Sequence, residues 1–249
     1  MTGNLIRAVL FDLGGTLMYP REPWPAIYEA ADRALADFLC ARGLVIDCDS
    51  FPRELRARLN QYYLQREEDH FETTYSFILR ELLDERGCPG VADEVLRGAL
   101  DKMYEITQAN WVIEDDALLT LRLLESAGYR LGLVSNAGDN QDVFQLVERF
   151  GLEPYFDFIL TSAACSYRKP HPRIFELALA HWGIPAAEAV MVGDTLVADI
   201  LGAHNAGLYA IHVKRRARPG RDELELIQPD GEVSTLAQIP YLLSELSPT

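Results

Sequence analysis

Five short apolar runs recur along this chain with amphipathic stretches between them, and that alternation restricts what it can fold into. The runs are AVLFD at 8–12, RLGLVSN at 130–136, FDFILTS at 156–162, AVMVGD at 189–194 and LYAIHV at 208–213. Each is short and nearly continuous in apolar character, the pattern of a strand covered on both faces. Between the last four lie amphipathic stretches of helical length at roughly 139–150, 171–182 and 196–206. Strands alternating with helices build a parallel sheet with helices on both faces. The expected fold is therefore α/β, with a doubly wound, Rossmann-like parallel-sheet core.

Residues 19–112 break the rhythm. No comparable strand run occurs there, and in 26–39 the apolar positions Ile27, Ala31, Leu35, Phe38 and Leu39 recur at helical spacing. Similar patterns occupy 53–65, 73–86 and 91–108. Pro20, Pro23 and Pro25 mark the start of this segment, and 111–116 its end. The expected organisation is an all-α helical domain, 19–112, inserted after the first strand into a core made of 1–18 and 113–249. Residues 233–246 are expected to form a last helix on the sheet, after a solvated loop RRARPGRDE at 215–223.

The net charge of −15 disfavours nucleic acid and anionic membranes as partners, since both need dense positive charge. It does not disfavour a small phosphorylated molecule, because one cation and one or two basic groups reverse the field inside a single pocket. Basic residues are nearly all arginine; lysine occurs only at Lys102, Lys169 and Lys214, so each position is informative. Cys40, Cys48, Cys88 and Cys165 show no CxxC pairing and are expected to be reduced and packed as small hydrophobes. The first residues run straight into a strand without the basic-then-apolar pattern of a secretion signal. No apolar run approaches the roughly 18 residues needed to span a bilayer. The expectation is a soluble, cytoplasmic protein; the sequence does not address its oligomeric state.

Ligands of open parallel sheets bind beyond the carboxyl ends of the strands, where strand order reverses. Asp12 ends the first run, Ser135 stands at the end of the second, Lys169 follows the third and Asp194 ends the fourth. Singly, each has an ordinary structural reading. A strand-end aspartate caps a turn, Ser135 is a turn residue, Asp199 suits a helix N-terminus through its dipole, and Lys169 sits in a solvated loop. Taken together and in order, FDLGGTL, LVSNAGD, RKPHPRIF and VGDTLVADILGAHNAG resemble the four motifs of the haloacid dehalogenase superfamily, in its phosphatase-like branch. The helical insert resembles the cap that many members carry between their first and second motifs.

That resemblance implies a magnesium-dependent hydrolase of small phosphorylated metabolites. Asp12 is then the nucleophile that forms an aspartyl-phosphate, splitting hydrolysis into two easier steps. Ser135 and the backbone around Gly15, Thr16 and Asn136 donate hydrogen bonds to the phosphoryl oxygens. Lys169 steadies the nucleophile and the phosphoryl group as a point charge. Asp12, Asp194, Asp199 and the carbonyl of Gly14 hold Mg2+, a hard cation served by few carboxylates and by phosphate oxygen.

One position departs from the pattern. The family's phosphatases carry a second aspartate two residues after the nucleophile, to protonate the leaving group and activate water; here that place is Gly14. Losing such help costs roughly 10²–10⁴ in rate. The family's dehalogenases place a bulky aromatic residue there and use no magnesium, and its phosphonate-cleaving members need a lysine early in the cap, whereas 19–101 contains none. The readings left are a phosphatase restricted to activated phosphates or assisted by a cap group, a catalytically weakened phosphate-binding protein, and, less favoured, a mutase. Glu22, Asp69 and His70 are cap residues that could replace the acid. Tyr19, Trp24, Tyr62, Tyr63, Phe71 and Tyr75 are aromatic candidates for substrate contact or for packing between cap helices.

Overall fold

All five apolar runs contain strands in the computed structural model, which describes residues 5–217, 220 and 226–246. β1 (Ala8–Phe11), β4 (Arg130–Ser135), β5 (Phe158–Thr161), β6 (Ala189–Gly193) and β7 (Tyr209–Val213) form a sheet with a sixth strand, β8 (Gly231–Val233). Every pairing is parallel and the order is β5-β4-β1-β6-β7-β8. The chain lays β4 and β5 on one side of β1, then returns to lay β6, β7 and β8 on the other. Winding reverses at β1, so the ends of β1, β4 and β6 adjoin at the point where such sheets bind ligands. Phe11 stands opposite Leu133 and Val192, which brings Asp12 between the ends of both neighbours.

Both faces of the sheet are covered, as the near-continuous apolar runs require. On one face Ala8, Leu10, Ala189 and Met191 pack with Ile174 and Phe175 of α8 (Pro172–Trp182) and with Leu196 and Ile200 after β6. Val9, Phe11, Leu133, Val190 and Val192, which alternate with them, are equally buried. α5 (Ala117–Ser126) packs on β4, and the last helix, Ile239–Leu246, packs on α5. Local chemistry sets the helix ends. Asp139 caps α6 (Asn140–Arg149) by accepting from Asp142 N at 3.1 Å. Pro172 fills the first turn of α8, and Gly183, at φ +63°, ends it.

Two expectations about the tail need correction. Residue 233 ends β8 rather than starting a helix, because β8 can extend the parallel sheet beside β7. The helix begins only after Gln238 Oε1 has accepted from Ser234 N (2.8 Å) and Thr235 N (3.0 Å), a capping arrangement that fixes its start. Within RRARPGRDE, residues 218, 219 and 221–225 lie outside the described residues. Arg215 and Arg216, however, are not simply solvated: both bond the buried Glu114 at 2.6 Å, and Arg215 also bonds Asp116.

The chain divides into two compact units, residues 1–19 with 113–249, and residues 20–112. The two crossings are β2 (Met18–Pro20) and β3 (Trp111–Ile113), which pair with each other. The second unit holds α1 (Trp24–Ala41), α2 (Phe51–Asp69), α3 (Tyr75–Glu85) and α4 (Asp93–Ala109), around a core that includes Leu35, Leu39, Leu59, Leu79, Leu83 and Leu100. Here the expectation of four reduced cysteines fails for two of them. Cys40 and Cys48 form a disulfide, with their Cα atoms 6.3 Å apart. Gly43, at φ +83°, turns the chain back after α1 and returns Cys48 beside the last turn of that helix, a reversal that an eight-residue spacing does not announce. Cys88 and Cys165 are free. Among the described residues no helix is long and apolar enough to cross a membrane.

Candidate active site

Asp12 follows β1 directly, and its N–H donates to Val192 O on β6 at 2.9 Å, so the neighbouring strand fixes where the carboxylate emerges. The turn after it is tight. Gly14 bridges Met18, and Gly15 N–H donates to Met18 O at 2.7 Å with φ at +95°. A Cβ on Gly15 would stand 2.4 Å from Asp194 Oδ2, so only glycine lets the turn come this close to the acid. Thr16, also buried, points its hydroxyl at Asp194 Oδ1 from 3.5 Å, the limit of a hydrogen bond. The Gly15 N–H expected to meet phosphate is therefore committed to Met18. Gly15 lines the carboxylate of Asp194 instead.

Lys169 reaches the same point from the far side of β4. Ser135 closes β4, buried and in register with Thr161 of β5, and Asn136 comes next. The Asn136 amide grips the Lys169 backbone, accepting from its N–H at 2.8 Å and donating to its carbonyl at 2.9 Å. The Asn136 side chain thus builds the site and leaves only its backbone for phosphate. The peptide after Lys169 is cis to Pro170. Lys169 Nζ, almost fully buried, donates to Asp12 Oδ1 (2.7 Å), Asp199 Oδ1 (2.7 Å) and Val134 O (2.8 Å). All three ammonium protons are used. Burial alone would lower its pKa, yet the Asp12 and Asp199 carboxylates hold it above the ordinary lysine value.

Asp199 lies in the π-helical turn Leu196–Leu201 that follows β6, and its Oδ2 accepts from Thr195 N at 2.9 Å. A Cβ on Gly193 would sit 2.2 Å from Asp199 Cγ, so the end of β6 must be glycine for Asp199 to occupy this place. One oxygen each from Asp12, Asp194 and Asp199 lie within 4.8 Å of one another. Three carboxylates against one ammonium leave an excess of negative charge. Burial pushes Asp12 up to about 6, with Lys169 pulling it down and Asp199 pushing it up. Burial, then repulsion from Asp12 and Asp199, pushes Asp194 up to about 7. A divalent cation among these oxygens would relieve both, and an all-oxygen donor set suits Mg2+.

Sequence reasoning missed His212. It lies on β7 in register with Gly193, is buried, and sits with Nε2 3.1 Å from the Asp194 carbonyl. A carbonyl only accepts, so Nε2 carries the proton and steadies the backbone of Asp194. The available signal was a polar residue inside the otherwise apolar LYAIHV. Of the helical unit's candidate acids, the Asp69 carboxylate accepts from Phe71 N at 2.9 Å in the turn that ends α2, where His70 takes φ 57°. Glu22 is held through its backbone, its N–H donating to the Asn110 side-chain oxygen and its carbonyl accepting from the Asn110 amide nitrogen. Tyr19 lies under the Arg216 guanidinium at 3.5 Å, and Trp24 packs between Tyr28 and Trp111.

The sequence pattern of the haloacid dehalogenase-like hydrolases matches residues 6–207. The chain is 27% identical over 242 residues to the glyceraldehyde 3-phosphate phosphatase of Pyrococcus furiosus, covering 97% of this chain and 93% of that one. It is 31% identical over 207 residues to the ribulose-1,5-bisphosphate 5-phosphatase of Halopiger xanaduensis, covering 82% and 83%. Among solved structures, a 2-haloacid dehalogenase from Pseudomonas syringae pv. Tomato DC3000 superposes with a TM-score of 0.68 at 28% identity, covering 97% of this chain and 99% of that one.

Proposed function

The chain belongs to the haloacid dehalogenase-like hydrolases, and on that footing we propose a Mg2+-dependent phosphatase of small phosphorylated metabolites that works through an aspartyl-phosphate on Asp12. The observation that carries this reading is the buried Lys169 ammonium, bonded at 2.7 Å to both Asp12 and Asp199. It opposes the burial that would protonate Asp12 and fixes one of that residue's oxygens, so the other attacks phosphorus. Ser135 and the backbone N–H groups at Thr16 and Asn136 receive the phosphoryl oxygens. Asp12, Asp194, Asp199 and the Gly14 carbonyl would hold Mg2+, which when bound supplies positive charge to the phosphoryl oxygens. Water then releases phosphate from Asp12 and restores the carboxylate.

Gly14 gives the leaving group no proton, so aryl and acyl phosphates are the favoured substrates and alkyl phosphates turn over more slowly by roughly 10²–10⁴. The two relatives named for phosphorylated sugars support the substrate class. The resemblance to a dehalogenase supports the fold equally well. Against dehalogenation stand a glycine, not a bulky aromatic residue, at position 14 and a three-carboxylate cluster suited to a cation. The charge of −15 supports a small-molecule substrate over nucleic acid or an anionic membrane; the Cys40–Cys48 bond weighs against a cytoplasmic enzyme, since such bonds are rare in reducing compartments.

The test is direct. With Mg2+ present, the protein is expected to hydrolyse p-nitrophenyl phosphate and acetyl phosphate, and Asp12→Asn to abolish both activities. No turnover of either, with Mg2+ and phosphate still bound, would make it a phosphate-binding protein instead.

A further inference from the structure

One peptide just beyond β6 is held at both of its edges. Asp194 and Thr195 share it. Its carbonyl oxygen, on Asp194, accepts from His212 Nε2 at 3.1 Å, and its N–H, on Thr195, donates to Asp199 Oδ2 at 2.9 Å. A peptide is planar, so a bond to each edge fixes its rotation about the chain. That rotation sets the direction in which the chain turns out of β6 into the helical turn carrying Asp199, and so the spacing of the two acids. Little else ties them together. Among the described residues, the Asp194 carboxylate has one side-chain hydrogen bond, the 3.5 Å approach of the Thr16 hydroxyl. Asp199 commits its Oδ1 to Lys169 and its Oδ2 to this peptide.

His212 is placed for this one bond. It stands in register with Gly193 on one side and with Glu232 of β8 on the other, and is 1% exposed. Its Nδ1 is buried without a hydrogen-bond partner among the described residues. Glu232 Oε1 is 3.8 Å from Nδ1, while the other oxygen of that carboxylate accepts from Lys214 Nζ at 2.8 Å. Burying an unpaired ring nitrogen costs stability that an apolar residue would save. Ala210, Ile211 and Val213 around it on β7 are apolar. What the imidazole supplies, and a leucine or valine would not, is the Nε2 proton.

We propose that His212 is a positioning residue: by fixing the Asp194–Thr195 peptide it holds Asp194 and Asp199 at the spacing that lets both serve one divalent cation. It acts from β7 through the backbone and touches neither the cation nor the phosphoryl group. The clamp stands on geometry alone; its value to Mg2+ rests on the phosphatase reading above.

Hydrogen exchange in EDTA reads the clamp without metal or turnover. The Thr195 N–H is expected to exchange about 2- to 10-fold faster in His212→Leu than in the wild type, the scale of one hydrogen bond. His212→Gln, whose side-chain amide keeps an N–H donor, should bring the rate back toward wild type. Equal Thr195 rates in wild type and His212→Leu, or equal acceleration in both variants, overturns the clamp. An acceleration shared by the amides of β1 is general loosening and overturns it as well. Calorimetry reads the ligand spacing. Mg2+ affinity is expected to fall by about 10- to 100-fold in His212→Leu, the usual effect of losing a group that orients a metal ligand, and to recover in His212→Gln. Unchanged Mg2+ affinity in His212→Leu, or none in the wild type, overturns the role toward the cation. Mg2+ affinities that differ as expected, in a protein that hydrolyses no phosphate ester, would instead overturn the phosphatase reading and leave the role of His212 standing.

Discussion

Replacing Lys169 by methionine removes the ammonium while keeping most of the aliphatic stem. Three hydrogen bonds of 2.7, 2.7 and 2.8 Å disappear, and two carboxylates stay buried without their counter-charge. Breaking a buried pair in this way costs about 3–5 kcal/mol. The cost must depend on pH. Asp12 has a folded pKa of about 6 against an ordinary 3.8, so its contribution to stability is fully present below about 4 and is lost as pH rises through about 6. Without Lys169 the main force that lowers it is gone, and the window moves further up. Urea denaturation in EDTA should therefore find Lys169→Met weaker than wild type by the full amount at pH 8 and by clearly less at pH 5. Mg2+ should stabilise the variant more than the wild type at pH 8, because the cation takes over part of the missing charge. A variant as stable as wild type at pH 8, or one hurt more at pH 5, would refute the placing of this ammonium between two ionised acids.

Three further predictions concern the same crevice. In EDTA the wild-type protein should lose a few kcal/mol of stability between about pH 4 and 7, the scale set by shifts of about two and three units on Asp12 and Asp194; Mg2+ should abolish the loss, and a Mg2+ effect on the melting temperature that ignores pH would refute the carboxylate site. Gly14 is exposed, so Gly14→Asp has room for its side chain and should raise turnover of alkyl phosphates by about tenfold or more; an unchanged rate in a folded variant would mean that Gly14 is not merely a lost acid. Gly193→Ala would put its Cβ 2.2 Å from Asp199 Cγ, and should cost about 1–3 kcal/mol or more by denaturation, together with weaker Mg2+ binding by calorimetry.

The layered fold was legible because burial on both faces leaves a mark that survives without neighbours: AVLF and AVMVG are apolar at every position or end on glycine, and every residue of both strands is buried. α5 escaped assignment because Leu118, Leu119 and Leu123 are apolar yet exposed, which blurs the stripe that marks a helix. β8 escaped because three residues at a sheet edge leave no pattern. Asp12, Lys169, Asp194 and Asp199 stood out because charged groups at strand ends need a purpose, and because lysine is scarce in this chain.

What the sequence could not divide was labour among adjacent residues. Ser135 and Asn136 are neighbours of similar polarity, and the family resemblance assigns both to phosphate. In the fold one ends a strand, and the other closes a two-bond clamp on a loop 33 residues away. Gly15 and Gly193 read as ordinary turn glycines until the carboxylates of Asp194 and Asp199 are found where their Cβ atoms would be. His212 belongs with them. Its position is set by the pairing of β6 with β7, and its partner is a backbone carbonyl, which leaves no trace in residue identity. Groups that touch the reacting atoms are chosen for charge and can be recognised alone. Groups that position them are chosen for shape and hydrogen-bond geometry, which exist only once β1, β4, β6 and β7 lie side by side.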